Sequence, residues 1–367
     1  MSLSINEIVH LICAGEQHPS LWKTAVIYYQ TLAVDSDAAD ENGHTPIFFI
    51  PDLHILSENR GIGYGQGKYF HLNQNRKEIL KAFLSRLIEL RDEGQEFRRL
   101  KVYQLGDMND LWREARHWWG EDVVEMLERQ IGDHEDLFWL FRKLGTERLA
   151  GNHDNKLRIP KVRTQVAESP VNEFLPMDML HPDTRSFRWG SGCRMDMIHA
   201  DQVDDSETPW YRKMINPVGS RFAARDDGLI NIGEINEWSH EVRPEGPGDD
   251  CFREPTVDYE GEDDDRKSVE FVRSIYDYET CAPDATAEMR EARRVAVMIG
   301  HTHRPRIVRG DPAHDYTMID CGSWVNTSFL DVKPKDLAEN NAFWNAQVGV
   351  LCGNEAALLQ IGTESAK

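Results

Sequence analysis

Two histidines one residue apart, His301 and His303, follow directly on the apolar run Val295 to Ile299. The same arrangement recurs along the chain. Asp52 and His54 follow Ile47 to Ile50, Asp107 follows Val102 to Leu105, Asn152 and His153 follow Arg148 to Ala150, and His199 follows Met195 to Ile198. Each short apolar run reads as a buried strand, and Gly106, Gly151 and Gly300 release the backbone from strand geometry. The polar residues then sit at the carboxyl ends of strands, where open α/β sheets place their ligands. A D-x-H triplet or an H-x-H pair says little by itself. Their force is in the shared context of all five segments.

The chemistry such a set could do is that of bound cations. Imidazole, carboxylate and amide oxygen suit borderline first-row ions such as Mn²⁺, Fe, Zn²⁺, Ni²⁺ or Co²⁺, whereas all-oxygen sets suit Mg²⁺ or Ca²⁺. Two such ions about 3.5–4 Å apart would clamp a phosphoryl group and lower the pKa of a bridging water, whose hydroxide attacks phosphorus in line with the leaving oxygen. The departing alkoxide needs a proton or a positive partner, a task suited to a histidine beside the metals. Asp107, a carboxylate with two oxygens held at a strand end, could bridge both ions.

Taken in order, Asp52-Leu53-His54, Gly106-Asp107-Met108-Asn109-Asp110, Gly151-Asn152-His153-Asp154, His199 and Gly300-His301-Thr302-His303 resemble the motifs of the calcineurin-like metallophosphoesterases, over residues 52 to 303. The resemblance implies a four-layer αββα sandwich of two mixed sheets with helices outside and a dimetal site at the strand ends. It implies that Asp52, His54, Asp107 and His303 hold one metal, and Asp107, Asn152, His199 and His301 the other, Mn²⁺ first among the candidates. It also makes His153 the proton donor or transition-state stabiliser and Asp154 the acid that orients it. Leu111 follows Asp110 where the family's protein Ser/Thr phosphatases carry arginine, which counts against a phosphoprotein phosphatase. Asp110-Leu111-Trp112-Arg113 and Gly322-Ser323-Trp324 look more like the bacterial branch that includes UDP-2,3-diacylglucosamine hydrolases, although Ala200 stands after His199 where glycine is common there. The expected activity is phosphomonoester or phosphodiester hydrolysis, with a pyrophosphatase on a nucleotide sugar and a catalytically silent scaffold as alternatives.

The elements that must position these residues are legible in outline. Ile79, Leu80, Phe83, Leu84, Leu87 and Ile88 repeat at three and four, predicting a helix over 73–91 that Gly94 stops. A second helical pattern runs over 121–144. Strand, helix and strand between 46 and 105 open an α/β layer. Residues 5–33 read as amphipathic helix, making 1–45 an N-terminal helical extension ahead of a catalytic domain over 46–367. Arg306–Arg309, Tyr316–Asp320 and Val348–Leu351 read as closing strands of a second sheet. Segments 155–195 and 204–290 read as insertions able to cap the strand ends. The glycine-rich 61–67 lacks the lysine-serine pair of a P-loop and reads as a surface loop.

Arg113, Arg158 and Arg304, with Arg116 and Lys156, lie close enough to the motifs to hold a substrate phosphate, each equally suited to a structural role. Trp112, Trp118 and Trp119 could stack a base or sugar, but fit core packing better.

Composition limits the partners. The 367 residues carry a formal charge of −21, which argues against general nucleic-acid binding yet stays compatible with a metal site that recruits a small phosphorylated substrate through local cations. Six scattered cysteines without a C-x-x-C pair predict reduced thiols, hence a cytoplasmic setting. No run of eighteen apolar residues predicts a membrane span.

Overall fold

The computed structural model describes residues 3–32, 34, 45–57, 72, 74–114, 122–182, 184–190, 192–200, 292–301, 305–309, 317–325 and 346–362, with residues 112, 113, 306, 308 and 309 described by backbone alone. The fold is α/β, with helices and two mixed sheets. The first sheet has seven strands in the order β1 (Ala25–Thr31), β12 (Glu355–Gln360), β11 (Gln347–Cys352), β2 (Ile47–Ile50), β3 (Lys101–Gln104), β4 (Glu147–Leu149) and β5 (Leu180–His181). β2 to β5 run parallel, while β11, β12 and β1 pair antiparallel. The second has five, ordered β6 (Thr184–Arg188), β7 (Cys193–Ile198), β8 (Arg293–Ile299), β10 (Thr317–Asp320) and β9 (Arg306–Arg309), with β7, β8 and β10 parallel.

The run Ile47-Phe48-Phe49-Ile50 is apolar throughout because both of its faces are covered. Ile47 and Phe49 join Tyr103, Leu105, Leu149 and Leu358 of the first sheet against Met195, Met197, Met298 and Ile319 of the second. Phe49 stacks on Tyr103 at 5.8 Å between ring centroids, and Tyr103 on Phe187 of the second sheet at 5.7 Å. The alternate residues Phe48, Ile50, Val102 and Val350 face helices instead. These are α1 (Ile5–Cys13), α2 (Gln74–Glu93) and α4 (Val123–Leu144), the short α3 (Leu111–Glu114) lying between the last two. They contribute Ile8, Ile12, Phe83, Leu87, Leu127 and Phe138. Each such side chain, once buried, stabilises by roughly 1.5–3 kcal/mol. α4 begins on the Asp122 cap and ends at Gly145, whose φ of +65° is a left-handed C-cap.

Three sequence expectations change. The helix expected over 5–33 ends at Cys13, and residues 25–31 are β1, because Val26, Ile27, Tyr28 and Tyr29 are strand formers that pair with β12 at the sheet edge. Val348–Leu351 belongs to the first sheet, antiparallel to β2, whereas 306–309 and 317–320 do close the second. Segment 155–195 is scaffold over most of its length: it supplies β5, β6 and the start of β7, the short α5 (Pro160–Ala167), and Leu157, Val166, Val171 and Leu175 to the helix-side core. Segment 204–290 and the loop 61–67 lie outside the described residues. Among the described residues Cys13, Cys193, Cys321 and Cys352 form no disulfide, and no described helix is long and apolar enough to cross a membrane.

Candidate metal centre

Five strand ends meet at the seam between the sheets. Asp52 and His54 follow β2, Asp107 follows β3, Asn152 and His153 follow β4, His199 follows β7, and His301 follows β8. All seven residues are buried. Parallel strands make this possible, since β2, β3 and β4 all emerge at one edge of the first sheet and β7 and β8 at one edge of the second.

The chain turns sharply at these ends. His54 has φ +46°, Asp107 +51°, Ala200 +83° and His301 +71°. Left-handed backbone in a residue with a Cβ costs of order 1 kcal/mol or more, and such outliers gather where geometry is set by function. Glycines complete the close approaches. A Cβ on Gly106 would overlap the His199 ring, and one on Gly151 would overlap the Asp107 carboxylate.

Backbone amides lock the carboxylates. The His301 N–H donates to both oxygens of Asp52, at 3.1 and 3.0 Å, and the His153 N–H donates to Asp107 Oδ1 at 2.8 Å. The His54 N–H donates to the Asp107 carbonyl at 2.9 Å. Nδ1–H of His199 donates to the Leu105 carbonyl at 2.8 Å, which in the neutral ring leaves the lone pair on Nε2. That nitrogen faces Asn152 Oδ1 at 3.0 Å and Asp107 Oδ2 at 3.2 Å, and His301 Nδ1 lies 3.2 Å from the same Asn152 oxygen. Acceptors thus converge where a cation would satisfy them together.

Electrostatics points the same way. Among the described residues Asp107 meets imidazoles and no lysine or arginine, with His54 Nε2 3.8 Å from its Oδ2. Burial would raise its pKa, but His199 and then His153 and His54 hold it well below the usual carboxylate range. Burial first, then His153, lowers His54 to about 4, keeping its ring neutral and its lone pairs available. Asp52, His54 and Asp107 bring ligand atoms within 4.8 Å of one another, as do Asp107, His199 and His301, and as do His54, Asp110 and His153. These buried groups can hold a metal ion, and the mixed nitrogen and oxygen donors fit a first-row divalent cation. Asp107 belongs to two of the groups.

The acid beside His153 differs from the expected one. Asp110 Oδ2 lies 3.2 Å from His153 Nδ1 and 3.4 Å from His54 Nδ1. Asp154 instead turns back on the loop, accepting the Gly151 N–H at 2.6 Å and the Asn109 N–H at 3.5 Å. Its side chain makes no cap on the 3-10 turn Asn155–Arg158 that follows and closes the preceding Gly151–Asp154 loop instead. Burial, then Asp107, pushes Asp154 up to about 7. The His153 ring meets His54 edge to face at 4.4 Å between centroids.

Arg158 also departs from expectation as a phosphate holder. Its Nε donates to the Pro182 carbonyl at 3.0 Å and its Nη2 to the Ala150 carbonyl at 2.7 Å, tying β4 to the segment beyond β5. Lys156 lies on the turn after Asp154. Arg113 is placed by backbone alone on α3, and His303, Arg304, Arg116, Trp118 and Trp119 lie outside the described residues.

The sequence reading missed the braces beneath the site. Asn109 Nδ2 donates to Gln130 Oε1 of α4 at 2.7 Å, and Gln130 is fully buried. Glu114 of α3 accepts the Ser57 N–H at 3.0 Å, the Ser57 hydroxyl at 2.9 Å and Arg129 Nε at 3.0 Å, joining the loops after β2 and β3. A glutamine and a glutamate on apolar helix faces were the signal available. Compared with models of protein families and with curated proteins, the chain gives no match.

Proposed function

We propose that this protein is a dinuclear-metal-dependent phosphoester hydrolase of the calcineurin-like kind. The observation that carries the reading is the position of Asp107, shared by two buried ligand groups at adjoining strand ends. Asp52, His54 and Asp107, with His303, would hold one divalent ion, and Asp107, Asn152, His199 and His301 the other, Mn²⁺ being the first choice. When bound, the ions supply positive charge to a phosphoryl group and an activated water nucleophile at neutral pH. A four-layer αββα sandwich is the finer architecture this reading expects, the described residues supplying a helical layer and the two facing sheets.

The chain's own residues do the rest. The His301 and His153 amides fix the Asp52 and Asp107 carboxylates, so the anionic donors need no reorganisation as charge develops. The Leu105 carbonyl orients the His199 ring so that its Nε2 faces the site. His153, beside the ligands and against Asp110, is placed to hold a proton at the leaving oxygen. Asp110 orients that ring. Substrate is a small phosphate ester, with a nucleotide-sugar pyrophosphate as the second class to assay.

The test is Mn²⁺-dependent hydrolysis of p-nitrophenyl phosphate and of its bis-ester, with metal content measured alongside. Asp107→Asn is expected to abolish turnover and to loosen both ions, whereas His199→Ala chiefly loosens one. Unchanged hydrolysis in Asp107→Asn would overturn the assignment, as would wild-type protein that retains no metal after Mn²⁺ supply. Fully retained metal without turnover on any phosphate ester would favour a binding scaffold of the same fold.

A further inference from the structure

A buried cation lies on the helix side of the first sheet, away from the metal ligands. Arg148 is on β4 between Glu147 and Leu149, and strand alternation turns it from the sheet-sheet core toward α4. Its exposure is 3 %, and Nη1 reaches Asn109 Oδ1 at 3.5 Å. Nε and Nη2 are buried and find no acceptor among the described residues. Among the described residues no carboxylate comes within ion-pair distance, although Asp154 lies close enough to pull its charge upward against the burial that brings the guanidinium down to about 10.

Arg148 lines a small pocket with Met108, Phe141, Thr146, Phe174 and Met179. The Thr146 hydroxyl is a second buried polar group without a partner among the described residues. Two orphaned groups in one pocket, whose rim also carries the exposed Arg142, are costly, since an unmet buried donor loses about 1–3 kcal/mol and an uncompensated buried charge more. The pocket leaves ≈ 10 Å³ in which the centre of a water-sized sphere can move. That suits a single small occupant on the scale of one water, and a tetrahedral oxyanion such as phosphate is too large for it. A water would accept from the guanidinium but leave its charge unbalanced. A monatomic anion does both, with Thr146 O–H as a further donor.

We propose that this pocket is a binding site for a monovalent halide-sized anion, held by Arg148 and Thr146. It is independent of the metal centre and stands or falls apart from it. Arg148 also reaches Asn109, whose own N–H meets Asp154, so an occupied pocket fixes the guanidinium that braces the back of the His153 loop.

The test uses the full chain in EDTA at constant ionic strength, with sodium bromide exchanged against sodium methanesulfonate. The expected result is a urea midpoint that rises with bromide and saturates. Thr146→Val should weaken the apparent bromide affinity several-fold, and Arg148→Met should remove the bromide dependence. Crystals soaked in bromide should show an anomalous peak between the guanidinium and Thr146 Oγ1, a readout that does not require any variant to fold. A midpoint indifferent to bromide, a dependence unchanged in Thr146→Val, or a pocket without anomalous signal at saturating bromide would each overturn the proposal.

Discussion

Gly151→Ala offers the sharpest probe of how the site is built. A Cβ at this position would overlap Asp107 Oδ1 and lie 2.5 Å from the Asp107 amide nitrogen and 2.6 Å from its Cγ. A rotamer change cannot relieve contact with a backbone atom, so the loops after β3 and β4 must part until that 2.5 Å reaches at least 3.4 Å. Parting them stretches the His153 N–H to Asp107 bond, now 2.8 Å, and endangers the 2.6 Å bond from Gly151 to Asp154. Overpacking costs roughly 1–3 kcal/mol and a lost hydrogen bond to a carboxylate roughly 1.5–3 kcal/mol, giving about 3–6 kcal/mol in the metal-free protein. That is a large share of the ~5–15 kcal/mol that holds a typical domain folded. Because the displaced carboxylate belongs to two ligand groups, affinity for both ions should fall together. Urea unfolding in EDTA reads the first effect and metal analysis after Mn²⁺ loading reads the second. A metal-free stability within ~0.5 kcal/mol of wild type, the scatter of an inconsequential substitution, with two ions retained, would refute the reasoning.

Gly106→Ala should act on His199 alone, loosening one ion and sparing the other in the same metal analysis, because its Cβ would overlap that ring. Gly132→Ala, exposed on α4 with open space around it, should instead stabilise by about 0.5–1 kcal/mol in urea melts. Asp110→Asn should lower kcat for p-nitrophenyl phosphate by roughly 10²-fold, the scale of lost acid–base assistance, while both ions remain bound; an unchanged kcat would detach Asp110 from His153. Glu147 is held below its usual pKa by its hydrogen bond to His181, against burial and with help from Arg185. A depressed carboxylate stabilises above its unfolded pKa, about 4.3, and that contribution is lost as pH falls through the lower folded value. Glu147→Gln should therefore reduce stability at pH 7 and converge on wild type as pH falls through that lower folded value, read by urea midpoints across an acid titration.

The strand ends were the most legible part of the chain. Buried parallel strands must be apolar on both faces, so Ile47–Ile50 and Val295–Ile299 stand out, and a ligand-type residue after each marks the edge where they emerge. β1 was hidden because Ile8, Leu11, Leu21, Ala25 and Tyr28 mimic helical spacing, while partnership with β12 lies over three hundred residues away and leaves no local trace. The sheet holding Val348–Leu351 was illegible for the same reason: alternation gives a strand but not its neighbour. Within the site, residue types sufficed to collect Asp52, His54, Asp107, Asn152, His199 and His301, but not to decide which of two aspartates faces His153. Asp110 and Asp154 are equally close to a motif, and only the folded chain shows Asp110 beside His153 and Asp154 on the backbone amides of Gly151 and Asn109.

The order of strands in the first sheet carries a consequence for how the chain is made. β12 and β11 lie between β1 and β2, so among the described strands two that come late in the sequence fill the gap between two that come early. Among the described residues β1 pairs with β12 alone, so until Gln360 has emerged that partner is missing and the flank of β2 that β11 will occupy is open. That flank carries Ile47-Phe48-Phe49-Ile50, an apolar edge of the kind that invites pairing with other chains. A ribosome-bound chain halted before residue 347 should therefore be prone to aggregate through that edge, while one released past residue 360 closes it with its own backbone.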